Sequence, residues 1–168
     1  MEATLQVLND LERDGVIGRY AIGGAVGAIF YVEPFATFDL DVFVVLPTER
    51  LLTTMEPLYS ALRQRGYEPE QECVTIEGVP VQFLPAFNPL IEEGLAGART
   101  ISLSVTPTRV LRAEHLLAIM VQTGRAKDRQ RVALFLEQAE IDVAGLEAIL
   151  SRHNLLDRFR QWTLPPNC

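Results

Sequence analysis

Apolar residues recur along this chain at helical spacing in some stretches and in alternation in others. Leu5, Leu8 and Leu11 repeat at helical intervals, predicting a helix over residues 3–14 that stops near Gly15. "RYAIGG" predicts a short strand ended by Gly23–Gly24, "AVGAIFY" a short buried helix, and "EPFATF" a loop broken at Pro34. "DLDVFVVLP" follows as a strand closed by Pro47. A helix is expected over 48–65, capped by Thr48, with Leu51, Leu52, Met55, Leu58 and Leu62 on one face. "ECVTIEGVPVQFLP" alternates as a hairpin turning at Glu77–Gly78. A helix near 88–97, a strand near 100–105 and a short strand at 108–111 come next. From Ala113 the pattern is helical, with breaks at Gly124, before Asp142 and at His153–Asn154.

These elements predict an α+β fold: a mixed, partly antiparallel sheet flanked by helices, with further helices at the C-terminus. Residues 1–112 would form the α/β core, and 113–168 a helical segment packed on it as one compact unit. The 168 residues suffice for one well-buried domain.

Two aspartates, Asp39 and Asp41, stand at the mouth of the apolar run "VFVV". On a strand, residues two apart face the same way, so both carboxylates project from one face. At about 5 Å they repel by about 3 kcal/mol at an effective dielectric near 20. Water at a solvated strand entry relieves that repulsion, and so does a cation between them. Paired hard oxygens suit Mg²⁺, which commonly takes a phosphate as a further ligand.

Gly23–Gly24 either makes a tight packed turn or bares backbone N–H groups at a helix start, where an anion is favoured. "GGAVG" faintly matches a dinucleotide-binding fingerprint, but there the acidic residue follows the second strand, whereas here both acids precede it. If phosphate and metal are to meet, the strand ending at Gly23–Gly24 and the strand opening at Asp39 must run antiparallel.

Charge narrows the field. A net charge of −7 argues against bulk DNA coating. Of 15 cationic side chains, 14 are arginine and Lys127 is the only lysine. Arg125, Lys127, Arg129 and Arg131 concentrate within seven residues, on two adjacent helix faces, either as a solvated helix start or as an anion site. Lys127 falls in the first turn of a helix after Gly124, where a compact charge on a long stem can reach a phosphate. Asp128 is expected to orient Arg131 or Arg112, or to cap the helix. His115 and His153 read as packing or capping residues, and Trp162 as a closing anchor. Cys73 and Cys168 have no metal or redox spacing. No apolar run is long enough to span a bilayer and the N-terminus lacks a basic leader, so a cytoplasmic protein without membrane contact is expected.

The combination "GGAVGAIFYVEP…TFDLDVFV" with "LRAEHLLAIMVQTGRAKDRQRVALFLE" resembles the nucleotidyltransferase superfamily of DNA polymerase β-like fold, in particular small bacterial members similar to AbiEii-type toxins, over residues 15–137. The resemblance implies that Asp39 and Asp41 bind two Mg²⁺ ions and act in catalysis together with Lys127. It implies that Gly23, Gly24, Thr37, Arg125 and Lys127 hold the nucleoside triphosphate. An acceptor hydroxyl, on a small molecule, RNA end or protein, would attack the α-phosphate and pyrophosphate would leave. A cognate protein partner, as in toxin–antitoxin pairs, is also implied. The chain departs from the pattern at Ala25, where many members have serine, and at Phe35, near a usual arginine. It departs again at Gln82, where a third carboxylate is expected. Glu72 and Glu77 lie nearby to substitute, or the protein holds a nucleotide or partner without turnover.

Overall fold

The computed structural model describes residues 1–34, 37, 39–47 and 54–163. Among the described residues, seven strands form one mixed sheet in the order β3-β4-β5-β2-β1-β7-β6. β1 (Tyr20–Ile22) and β2 (Leu40–Val44) run antiparallel, with Ile22 opposite Val42, as the placement of the two acids required. β5 (Val79–Pro85) lies parallel to β2 and sets Gln82 beside Asp41. β4 (Cys73–Ile76) joins β5 through a turn at Glu77 (φ 50°) and Gly78 (φ 79°), the paired positive φ of a tight hairpin.

Strand alternation gives the sheet two different faces. Leu40, Val42 and Val44 of β2 join Val74, Ile76, Val81 and Phe83 on one of them. α1 (Glu2–Arg13) seals that face with Leu5, Leu8 and Leu11, and α3 (Glu56–Gln64) with Leu58 and Leu62. On the other face Ala21 and Phe43 meet the helices of the C-terminal half. These are α4 (Pro89–Ala96), α5 (Ala113–Thr123), α6 (Ala126–Gln138), α7 (Val143–Arg152) and α8 (Leu156–Thr163). α2 (Gly24–Ala28) is a single short turn of helix between β1 and β2.

Several boundaries differ from expectation. The expected cap Thr48 and the apolar positions Leu51 and Leu52 lie outside the described residues. The helix described there starts only at Glu56, with Pro57 in its first turn, where a missing N–H costs nothing. The stretch before Val110 is longer than expected. β6 (Arg99–Leu103) and β7 (Thr106–Val110) form a hairpin whose tip places Ser104 at φ 52°. β3 (Pro69–Glu70) adds a two-residue edge strand that carries no apolar alternation. The C-terminal breaks fall where the sequence places them. Gly124 takes the left-handed conformation at the end of α5, Asp142 accepts a hydrogen bond from Gly145 N at the start of α7, and Asn154 has φ 57°. Trp162 packs against the helical core.

Candidate active site

At the end of the sheet where β2 begins, a cavity of about 580 Å³ opens between the sheet and the α5–α6 turn. Asp39, Asp41 and Gln82 line its floor, and Arg125, Lys127 and Arg131 line it from the start of α6.

β2 fixes the carboxylates. Asp41 lies between Leu40 and Val42, whose side chains enter the opposite core, so its own carboxyl faces the cavity. Its carbonyl accepts from Gly23 N at 2.9 Å, locking the end of β1 against it. Thr37 Oγ1 lies 3.1 Å from Asp39 Oδ1 and 3.2 Å from the Asp39 carbonyl, holding the loop that delivers Asp39.

The two glycines do different work. Gly24 has φ +54°, and a Cβ on it would stand 1.6 Å from Asp41 Oδ2. Both the backbone conformation and the carboxylate's position therefore require glycine there. Gly23 faces the core instead, where a Cβ would stand 2.4 Å from the Phe43 ring. Of the pair, Gly24 lines the cavity and Gly23 does not; Ala25 lines it next to Gly24.

Electrostatics mark Asp41 as the strained member. Burial, then the neighbouring Asp39 charge, push its carboxyl up to about 6, against the pull of Arg125, Arg131 and Lys127. The three cations thus act on Asp41 across the cavity.

The basic run is not uniform. Arg125 precedes α6 with extended backbone (φ −72°, ψ 154°), so it does not form the helical i,i+4 face with Arg129 that its spacing predicts. Arg129 is exposed and does not line the cavity. Lys127, in the first turn, does. Asp128, fully buried, caps α6: its carboxylate accepts from Arg125 N (3.3 Å), Nε (2.7 Å) and Nη2 (3.2 Å). Of the roles expected for Asp128, capping is seen, and the pairing with Arg125 is new. Arg112 pairs with Glu114 at 3.4 Å.

Gln82 Nε2 donates to Glu72 Oε2 at 3.2 Å, so Glu72 reaches the neighbourhood of the floor. Glu77 turns elsewhere and accepts from Tyr67 Oη. His115 and His153 share an acid that their spacing gave no sign of. Glu93 Oε2 lies 2.7 Å from His153 Nε2, and Glu93 Oε1 lies 3.4 Å from His115 Nε2 and 2.7 Å from Arg152 Nη2. Among the described residues, no group of three or more His, Cys, Asp or Glu side chains is arranged to hold a metal ion. Of the carboxylates that line the cavity among the described residues, Asp128 is engaged by Arg125, while Asp39 and Asp41 face its floor. Their acceptor-only oxygens, charge repulsion and position beside a side-chain-free Gly24 fit a hard divalent cation.

No protein-family model and no curated protein matches this chain. Solved structures do. A nucleotidyltransferase-like antigenic protein from Paracoccidioides brasiliensis superposes with a TM-score of 0.60 at 15% identity, over 94% of this chain and 90% of that one. The antibiotic-resistance factor ANT(2'')-Ia superposes with a TM-score of 0.52 at 15% identity, over 96% of this chain and 99% of that one. At such identity the likeness is one of architecture: this chain has a nucleotidyltransferase-like α+β fold.

Proposed function

We propose that the chain moves a nucleoside monophosphate from a nucleoside triphosphate to an acceptor hydroxyl, with Mg²⁺ as cofactor. The observation that carries this reading is the facing of a carboxylate pair, Asp39 and Asp41, by Arg125, Lys127 and Arg131 across one cavity. A metal–phosphate ligand presents positive charge to the first group and negative charge to the second.

Asp39 and Asp41 would hold Mg²⁺, which when bound supplies Lewis-acid polarisation of the phosphate. Thr37 keeps Asp39 oriented through its hydroxyl. Lys127 and Arg131 meet the triphosphate oxygens, and Arg125 does so with its guanidinium steadied by buried Asp128. Gly24, having no Cβ, leaves the Asp41 carboxylate its place at the cavity floor. In the transfer, the bond from acceptor oxygen to Pα forms as the acceptor's O–H bond gives its proton to solvent, the bond from Pα to the bridging oxygen breaks, and pyrophosphate departs. Positioning and charge neutralisation are the main contributions such a site makes.

Gln82 favours a second reading, a nucleotide-binding protein without turnover. An amide cannot take the acceptor's proton at pH 7. The likeness to AbiEii-type toxins noted in the sequence supports a cognate protein partner under either reading. No helix among the described residues is long and apolar enough to cross a membrane.

Calorimetric titration with ATP, GTP, CTP and UTP, with and without Mg²⁺, paired with a pyrophosphate assay, tests the proposal. Mg²⁺-dependent binding with pyrophosphate release is the expected result. Binding without release, converted to release by Gln82→Glu, establishes the second reading. No binding of any nucleotide overturns both.

A further inference from the structure

The cavity has a second half that phosphate and metal leave unused. Two residues beyond Asp41 on β2 stands Phe43, and two beyond Gln82 on β5 stands Leu84, both lining the same cavity. That step along the strands is about 6.6 Å. Above this floor α5 contributes Leu116, Ile119 and Met120, spaced three and four apart on one helix face. Phe87, 75% exposed, stands at the cavity wall on the connection to α4. The cationic residues of α6 follow directly where α5 ends. An acidic floor under a cationic roof thus passes into an apolar floor under an apolar roof.

Two neutral polar side chains stand at the edge of this half, each holding one local hydrogen bond. Gln122 Oε1 accepts from Asn88 Nδ2 at 2.9 Å, and Thr123 Oγ1 donates to the Ile119 carbonyl at 2.8 Å. A nucleobase placed here would turn most of its polar edge toward apolar side chains, with Gln122 and Thr123 the neutral polar groups among the described residues beside this half to pair with it, a costly arrangement. Among the described residues, a polycationic amino sugar would meet no carboxylate in this half and three cations beside it. An apolar body with a single hydroxyl directed toward Asp41 meets neither penalty.

Building on the nucleotidyl-transfer reading, we infer that the acceptor is an uncharged small molecule with an apolar, largely aromatic or aliphatic body and one reacting hydroxyl, seated over Phe43 and Leu84 beneath α5. It occupies the cavity together with the nucleotide, its hydroxyl near the carboxylate pair and its body between sheet and helix.

The test uses 2-naphthol, a fluorescent neutral hydroxyl compound, and the full chain saturated with Mg²⁺ and an α,β-methylene nucleoside triphosphate. Saturable binding of 2-naphthol that persists with the nucleotide in place is expected. Ile119→Asp, which sets a charge in the apolar half, should weaken it by about tenfold or more. Phe87→Ala, at an exposed position that folding does not depend on, should weaken it several-fold, on the order of a lost apolar contact. Kanamycin should show no saturable binding. Displacement of 2-naphthol by the nucleotide would assign this half to the nucleobase and overturn the inference. Absence of binding, binding indifferent to both substitutions, or tighter binding of kanamycin would overturn it too. Failure of the nucleotide analogue itself to bind would instead count against nucleotidyl transfer, with the 2-naphthol result judging the apolar half separately.

Discussion

Gly24 and Asp41 compete for one volume: the point where a Gly24 Cβ would sit is 1.6 Å from Asp41 Oδ2. They are far apart in sequence and are brought together by the antiparallel pairing of β1 with β2, in which Gly23 N donates to the Asp41 carbonyl. Gly24→Ala must expel the carboxylate or distort a backbone already at φ +54°. The expected cost is about 2–4 kcal/mol of stability, read from urea denaturation, with loss of Mg²⁺ binding in the fraction that still folds.

Asp41→Asn should stabilise the metal-free protein while abolishing Mg²⁺ binding. Folding raises the Asp41 pKa from 3.8 to about 6, so the stability tied to its neutral form is complete below about pH 3.8 and is lost as pH rises through 6. At pH 8 the substitution should therefore stabilise by about 1–2 kcal/mol, after allowance for solvent screening, and near pH 4 by almost nothing. Thermal melts of both proteins across that range, without metal, measure the difference. A wild-type curve that fails to drop between pH 4 and pH 8 relative to Asp41→Asn would contradict the assignment.

Lys127→Ala should weaken nucleotide binding by about tenfold, the loss of one charge-assisted contact, without lowering the melting temperature by more than a degree or two. Lys127→Arg keeps the charge but not the compact ammonium, and should recover part of the affinity only. Asp128→Ala, by contrast, should act on stability as well as on the nucleotide. It removes the α6 cap and frees Arg125, at an expected cost of about 1–2 kcal/mol. Calorimetry and melting curves on the three variants separate the effects.

Glu93→Gln tests the joint between α4 and the end of α7. Hydrogen bonding from Arg152 and then from His153, against some desolvation, holds the Glu93 carboxyl down at about 2 instead of 4.5. A lowered carboxyl pKa stabilises above pH 4.5, and that contribution is lost as pH falls through 2. The exposed edge of this cluster screens it, so the substitution should cost about 1 kcal/mol at pH 7, seen as a fall of a few degrees in melting temperature. The gap between wild type and variant should close on acidification below pH 4.5.

Local signals in the sequence carry much of this architecture. The Glu77–Gly78 turn, the Gly124 break and the antiparallel β1–β2 pair follow from turn chemistry, helix capping and the side of the strand on which the acids sit. What escapes is contact between distant residues and structure without a pattern. β3 is two residues long, and the β6–β7 turn at Ser104–Val105 contains neither glycine nor asparagine to announce a positive φ. The clasp of Glu93 with Arg152 and His153 spans about sixty residues. Arg125 and Asp128 sit at a spacing that is visible, but arginine is not a residue type that signals a helix cap. At the site, Asp39, Asp41 and Lys127 were legible as candidates from spacing and scarcity, and Gln82 only from the family resemblance. The apolar wall opposite Phe43 was not, since Leu116, Ile119 and Met120 look like any buried helix face.

α5 ends at Thr123 and α6 begins at Ala126, leaving Gly124 and Arg125 as the whole hinge between them. Gly124 N donates to the Met120 carbonyl, and Arg158 from α8 grips the Val121 and Gln122 carbonyls at 3.0 and 3.1 Å. A lever this short has no slack. Met120 and Lys127 are thereby held on either side of one short connection, and molecules seated against them are expected to affect one another's affinity. Linkage of that kind is reciprocal: a compound that tightens nucleotide binding will itself be held more tightly, by the same factor, once the nucleotide is in place.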